Sequence, residues 1–391
     1  MKVLHVITGL GIGGAEQQLR LLLRHLPVHG RVVTLTNPGA VADGIEADGT
    51  PVTHLGMTGN RDVGALPRLT RLIRQGGYDL VHTHLYRACV YGRAAARLAG
   101  VRPVVATEHS LGEAQIEGRP LSAGTRALYL ATERLGTATV AVSPSVARRL
   151  AHWGVPAARI HVVPNGIETA RFAHDPAARA RARAALGLPA GAFVVGGVGR
   201  LTPGKHFDRL VRAVATVPEA HLLLVGEGEE RENLLRLAAE CGAAGRVLLA
   251  GAVADPPERP ERPERPEAAP EAPGAGERPD LPSLLAAMDL FVSASPDETF
   301  GLAVVEALAA GLPVRYVACP AIEDLPAGAA PGARRVGGSV PELVGALHEA
   351  LRARGDRLPP PEAVRRYDIA HSAEQLLSLY QRAVRGPRPV K

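Results

Sequence analysis

The sequence predicts an α/β protein built from two doubly wound, mainly parallel sheets, one per domain. Short apolar runs alternate with amphipathic helical stretches, the pattern of buried parallel strands joined by crossover helices. The alternation lapses over residues 165–191 and restarts at 193–198, so 1–170 and 190–370 read as separate domains. The chain has 391 residues, 46% of them hydrophobic, enough for each half to bury a core of its own.

Residues 3–8 are the first strand, too short an apolar run to be a signal sequence. Gly9-Leu10-Gly11-Ile12-Gly13-Gly14-Ala15-Glu16 follows, then a helix through residue 26. Gly9, Gly11 and Gly14 fit G-x-G-x-x-G, which brings a nicotinamide-dependent oxidoreductase into play. Such a unit wants an acidic residue at the end of the second strand, 32–36, where this chain has Thr36-Asn37-Pro38. Residues 67–75 form an arginine-rich amphipathic helix, 78–84 a strand, and 101–107 another that ends at Glu108-His109. Open α/β sheets bind ligands at strand C-termini, so His82, His84, Glu108 and His109 are placed on one edge. His82 and His84 should diverge where the strand ends, and no third ligand presents itself, so no metal is expected there. The polar stretch 110–122 reads as a long loop beside the site, a natural lid or acceptor element. Ser143 then caps a helix with Pro144 at its first position.

In the second half the strand 193–198 ends at Gly199-Arg200, and a helix starts near Phe207. Arg200 and Lys205, at a strand end beside a helix N-terminus, are placed to hold a diphosphate. Strands at 221–225 and 246–250 lead to Gly226 and Val253. Residues 255–280 break the pattern: Glu-Arg-Pro repeats three times at 258–266, a composition that predicts a disordered, partly polyproline spacer. The alternation resumes with a helix at 281–287 and an apolar strand at 290–292. The chain then breaks at Ser295-Pro296-Asp297, and a helix starts near Gly301 and stops at Gly311. Glu298 lies in the loop before that helix, and Glu306 inside it points at or near a buried face. The helix start offers free N–H groups to an anion, so the unit is a strand–loop–helix crevice with an anion cradle and two flanking acceptors. A nucleotide-sugar, with phosphates in the middle and hydroxyls at both ends, fits it. A final helix is expected over 372–386, with a Ser372-x-x-Gln375 cap and Leu376, Tyr380, Ala383 and Val384 on one face.

Glu298-x7-Glu306, with Phe300-Gly301-Leu302 between and Ala309-Ala310-Gly311-Leu312-Pro313-Val314 after, resembles the signature of the family 4 retaining glycosyltransferases. The resemblance covers nearly the whole chain apart from 255–280. It implies the GT-B arrangement, two Rossmann-like domains facing across a cleft, the first holding the acceptor and the second the nucleotide-sugar, with the last helix crossing back onto the first domain. The Gly13-Gly14 turn is similar to the family's glycine turn, whose bare backbone approaches the donor phosphates. Thr107-Glu108-His109 resembles the family's Thr-x-His, which implies that His109 faces the reaction centre. Arg200 and Lys205 match the cations on the donor pyrophosphate. The resemblance further implies Glu306 on the ribose hydroxyls, Glu298 on a hydroxyl of the donor sugar, and the loops at Gly226 and Val253 lining the nucleotide pocket. It also implies retention at the anomeric carbon. Two segments depart from the family, the 255–280 insertion and Tyr316–Asp324, where members commonly continue with a Gly-Gly turn.

The remaining expectations come from composition. Residues 255–280 hold eight acids and four arginines, and 1–170 hold 18 basic against 11 acidic residues. The basic first half suits anionic substrates or peripheral contact with an anionic membrane face. With 3% aromatics and no basic–aromatic interleaving, nucleic acid is excluded as a partner. Cys89, Cys241 and Cys319 are scattered, which predicts a reduced, cytoplasmic protein without structural zinc. No Asp-x-Asp occurs, so no metal-bridged diphosphate and no cofactor is expected. The expected reaction is transfer from a nucleotide-sugar, a UDP-sugar first, to a small natural-product or lipid-linked acceptor. The alternatives are the oxidoreductase and a nucleotide-sugar binding protein without catalysis. An Ala/Arg/Gly/Pro-rich make-up hints at a GC-rich bacterium, where antibiotic or envelope glycosylation would both fit.

Overall fold

The computed structural model describes residues 1–59, 62–113, 115–117, 119–253 and 279–386. Residues 254–278 lie outside these, and with them nearly all of the expected 255–280 spacer. In chain order the strands are β1 (Lys2–Gly9), β2 (His29–Asn37), β3 (Val52–His54), β4 (Leu80–His84), β5 (Val104–Glu108), β6 (Gln115–Ile116), β7 (Arg119–Pro120), β8 (Ala138–Ala141) and β9 (Ile160–Val162) in the first half. The second half has β10 (Phe193–Val198), β11 (Ala220–Val225), β12 (Val247–Gly251), β13 (Leu290–Ser293), β14 (Val314–Tyr316) and β15 (Ala333–Arg335).

Seven strands form one sheet in the order β3-β2-β1-β4-β5-β8-β9, and six form another in the order β12-β11-β10-β13-β14-β15. Every pairing in both is parallel. Strand order reverses beside β1 in the first sheet and beside β10 in the second, and such switch points open a crevice at the strands' carboxyl ends. The strands read as continuous apolar runs because helices cover both faces: Val3, Leu4, Val6 and Ile7 of β1 are all fully buried.

Several boundaries differ from the sequence reading. β5 begins at Val104, because Pro103 has no N–H to donate to a ladder. The 110–122 stretch carries the small antiparallel hairpin β6–β7. The last helix runs Ile369–Arg385, and its cap is Asp368, whose carboxylate accepts from Ala370 N at 3.0 Å. Ser372 is buried inside it, and Val384 is exposed while Leu379 joins the apolar face. That face packs on Val3, Leu80, Val105 and Val140, so the chain returns from the second half to cover the first sheet.

Candidate active site

Both sheets aim their carboxyl ends at one cleft of about 850 Å³. On the first-half wall, β1 runs out into the glycine loop, and the helix Gly14–His25 starts with Gly13 as its cap. On the opposite wall β13 runs into the Ser295–Phe300 turn, and the helix Leu302–Ala309 starts at Gly301. Gly301 has φ 100°, a left-handed conformation that glycine adopts without penalty, and a Cβ there would meet Cys319 Sγ at 2.5 Å. The two helix starts nearly touch: a Cβ on Gly14 would sit 3.5 Å from Leu302 Cδ1 across the cleft. Two helix N-termini therefore face one point, a place for an anion, although at the first of them the Glu16 carboxylate already accepts from its own backbone N–H.

The charged groups around that point are unevenly shared. Arg200, after β10, is exposed on the second-half wall. Lys205, on the 3₁₀ turn Pro203–Lys205, forms an ion pair with Glu298. Gly226, after β11, has φ 146° and no room for a side chain, since a Cβ would fall 1.9 Å from Gly199 O. The backbone there lies bare against the cleft. The first-half wall carries Glu16 and Glu117 instead, and no Lys or Arg among its described lining residues. The Glu16 carboxylate folds over Gly13, where an added Cβ would meet Oε2 at 2.5 Å. Burial raises the Glu16 carboxyl above its ordinary value, its own backbone N–H and Arg200 pull it back, and Glu117 pushes it further up.

His109 closes the floor. It is 6% exposed, and burial lowers its imidazole to about 4, so it is neutral at neutral pH. Its Nε2 lies 3.2 Å from His84 Nδ1. The loop carrying Glu298 is tied to this floor from the other half. Thr299 Oγ1 donates to His109 O at 2.6 Å, and Ser143 Oγ donates to Thr299 O at 2.7 Å. Asp297 next to it accepts from Glu113 N, Gln115 Nε2 and Arg149 Nη2 of the first half.

The profile described as Glycosyltransferase Family 4 matches residues 12–171, and two profiles described as Glycosyl transferases group 1 match 178–260 and 261–352. A D-inositol 3-phosphate glycosyltransferase of Catenulispora acidiphila is 31% identical over 87% of this chain and 83% of its own. The chain belongs to glycosyltransferase family 4. A UDP-Gal:alpha-D-GlcNAc-diphosphoundecaprenol alpha-1,3-galactosyltransferase of Escherichia coli is 27% identical over 69% of this chain and 66% of its own. In overall fold the glycosyltransferase is similar to Anabaena HepE, solved with UDP and glucose, at a TM-score of 0.80 with 24% identity over 97% of this chain and 99% of that one. The GT-B arrangement is thus the fold of this enzyme, and family membership retires the oxidoreductase reading of the glycine loop.

The structure brings twelve of the residues singled out in the sequence to this one cleft: Gly13, Gly14 and His109 from the first half, with Arg200, Lys205, Gly226, Val253, Glu298, Phe300, Gly301, Leu302 and Glu306 from the second. His84 and Glu108 do end β4 and β5 at the expected edge, but neither they nor His82 lines the cleft. His82 and His84 are fully buried, and their rings lie 4.0 Å apart instead of diverging. A third histidine, His5 on β1, joins them, and ligand atoms of the three lie within 4.8 Å of one another. Glu108 faces away, into a buried group with Arg93, Tyr129 and Cys89, where burial lifts its carboxyl to about 7 against the pull of Arg93. Sequence reasoning also passed over Glu16 and Glu117. Glu16 had a usable signal, its position two residues after Gly14 in the first turn of the helix. Glu117 had none, since it sits in a loop at φ 51°.

Proposed function

We propose that this glycosyltransferase moves a sugar from a UDP-sugar to a hydroxyl of a small or lipid-linked acceptor, with retention and without a metal ion. The observation that carries the reading is the meeting of two helix N-termini, Arg200 and Lys205 at one point, flanked by Glu298 and Glu306. In this reading the diphosphate lies on Arg200 and Lys205 and on the backbone of Gly13, Gly14 and Gly301, which neutralise the leaving group. Glu306 accepts the ribose hydroxyls, Glu298 a hydroxyl of the sugar, and the backbone at Gly226 and Val253 meets the nucleoside. Phe300 and Leu302 wall the sugar. His109 sits beside the anomeric carbon, and the acceptor attacks on the face the diphosphate leaves, a phosphate oxygen taking its proton.

A UDP donor is supported by HepE, solved with UDP, and by the Escherichia coli relative, whose name specifies UDP-Gal. That name also specifies a lipid diphosphate acceptor, and the Catenulispora name an inositol phosphate. Neither speaks for the antibiotic setting. The sign of the acceptor wall narrows the choice: its described lining residues include Glu16 and Glu117 and no Lys or Arg, although Arg200 acts on Glu16 from the opposite wall, and such a wall suits a neutral or amine-bearing polyol better than a phosphate monoester. No helix among the described residues is long and apolar enough to cross a membrane. For a lipid-linked acceptor, the shallow pocket lined by Arg31, Arg68 and Arg71 offers contact with anionic headgroups. Calorimetric titration with UDP, GDP and dTDP, with and without EDTA, tests the reading. UDP binding that survives EDTA and weakens by more than about tenfold in Glu306→Ala is expected. Loss of binding with EDTA would refute the metal-free site.

A further inference from the structure

Donor binding leaves three histidines unexplained. His5 on β1 and His82 and His84 on β4 are 0% exposed, a place where an imidazole is tolerated only with its nitrogens paired. The parallel pairing of β1 with β4 sets His5 opposite His82 and brings the rings together. His82 faces away from the cleft, its Nδ1 2.5 Å from Tyr380 OH and its Nε2 2.7 Å from Thr107 Oγ1. The other two form a line to the site. His5 Nδ1 is 3.2 Å from His84 Nε2, and His84 Nδ1 is 3.2 Å from His109 Nε2. The rings stack along it at 5.5 Å between centroids at each step.

The three buried histidines invite a metal reading. Five of their six nitrogens are already hydrogen-bonded, however, and no carboxylate belongs to the group to offset a cation. We propose instead that His84 and His5 are positioning residues for His109, fixing which of its ring nitrogens carries the proton. Burial keeps His5 near 3, His109 near 4 and His84 well below its ordinary value, so each ring is neutral with one N–H. The line can then be protonated in two ways. If His109 donates inward from Nε2, His84 donates to His5, and His5 is left with an N–H on Nε2 that has no acceptor among the described residues. If His5 donates outward from Nδ1, His84 donates from Nδ1 to His109, the inner end is a bare lone pair, and the N–H without an acceptor is that of His109 Nδ1. Either direction leaves one such costly N–H, and only the His109 end belongs to a residue that lines the cleft, where an acceptor can be supplied, whereas His5 is sealed in the sheet. The outward direction therefore holds, and the proton of His109 sits on Nδ1.

That nitrogen has no partner among the described residues, in a side chain that lines the cleft. His109 is thereby a hydrogen-bond donor towards a bound phosphate or hydroxyl oxygen, not a base. This catalytic consequence rests on the proposed function; the tautomer does not.

Protein labelled with ¹⁵N in histidine alone, read by two-bond ¹H–¹⁵N correlation, tests the tautomer directly. Aqueous imidazole side chains favour the proton on Nε2, so Nδ1–H on His5, His84 and His109 together would be distinctive, and it is expected. In His84→Leu and His5→Leu, His109 should shift towards Nε2–H, and UDP release from UDP-glucose should slow about tenfold while UDP affinity holds. His5→Asn, which returns an N–H near the Nδ1 position, should recover most of both readouts. An Nε2–H on His109 in the wild type, an unchanged signature in folded leucine variants, or stoichiometric zinc in the purified protein would overturn the proposal. The wild-type spectrum decides even if a leucine variant fails to fold. Failure of the wild type to bind UDP would refute the donor reading and leave the tautomer result standing.

Discussion

The two walls of the cleft share one construction and carry their polar groups differently. Each is a parallel strand running through a glycine-bearing turn into a helix, yet the second wall carries its chemistry on loop side chains and the first carries it underneath. Arg200, Lys205 and Glu298 sit within short reach of their own strand ends. His109, by contrast, is held by His84 and His5, which come from two other strands. A charged ligand group can be met by flexible loop cations, whereas a neutral donor must be oriented, and orientation comes from packed strands. The second wall should therefore govern binding and the first wall turnover.

The largest effect expected is on turnover. His109→Ala should lower the rate of sugar transfer by about a hundredfold or more while UDP affinity stays within a few-fold; an equal loss in both would merge the two walls. Arg200→Ala is the mirror experiment. It should weaken UDP by roughly thirtyfold, as befits a charge-assisted contact, and calorimetry reads it directly.

Acidification probes the buried side next. His5 and His109 have native values of about 3 and about 4, below the unfolded value near 6.5, so the unfolded chain binds more protons in between. Their contribution is fully present above pH 6.5 and is lost as pH falls towards 4. Glu108, raised to about 7, acts with the opposite sign between about 4.5 and 7 and offsets part of it. The melting temperature should fall on acidification from pH 6.5, and His5→Asn should fall less; an identical slope in both would remove His5 from the account.

Smaller still is the effect of the Lys205–Glu298 pair, which must open before Lys205 can meet a phosphate. Glu298→Gln should tighten UDP, which has no sugar for Glu298 to hold, by about two- to threefold. Removing the cap of the last helix with Asp368→Ala should cost about 1 kcal/mol and lower the melting temperature slightly without touching UDP binding.

Legibility in the sequence divides along the same line. The strand–helix alternation, both glycine turns and the Glu298 to Glu306 spacing are local patterns, and they marked the fold and the residues that line the cleft. What holds His109 is not local. His5 and His84 are 79 residues apart, and only the β1–β4 register brings them into hydrogen-bond range. Their ring directions follow from packing, which period-two alternation cannot convey when both faces of a strand are buried. The Asp368 cap was missed for another reason. Ser372-x-x-Gln375 imitates a capping box one turn too late, and the burial of Ser372 shows that the apolar face had already begun.

The bond between His82 and Tyr380 joins residues 298 positions apart. During synthesis, β4 leaves the ribosome long before the helix that covers it. The first sheet must wait with its β1–β4 face open, and its histidines hydrated, while the whole second half is made. Only when residues 369–385 swing back does that face dry out and the imidazoles lose their water. The neutral floor of the cleft is therefore among the last features to mature, after the strand end and turn that carry Arg200 and Lys205 have been made.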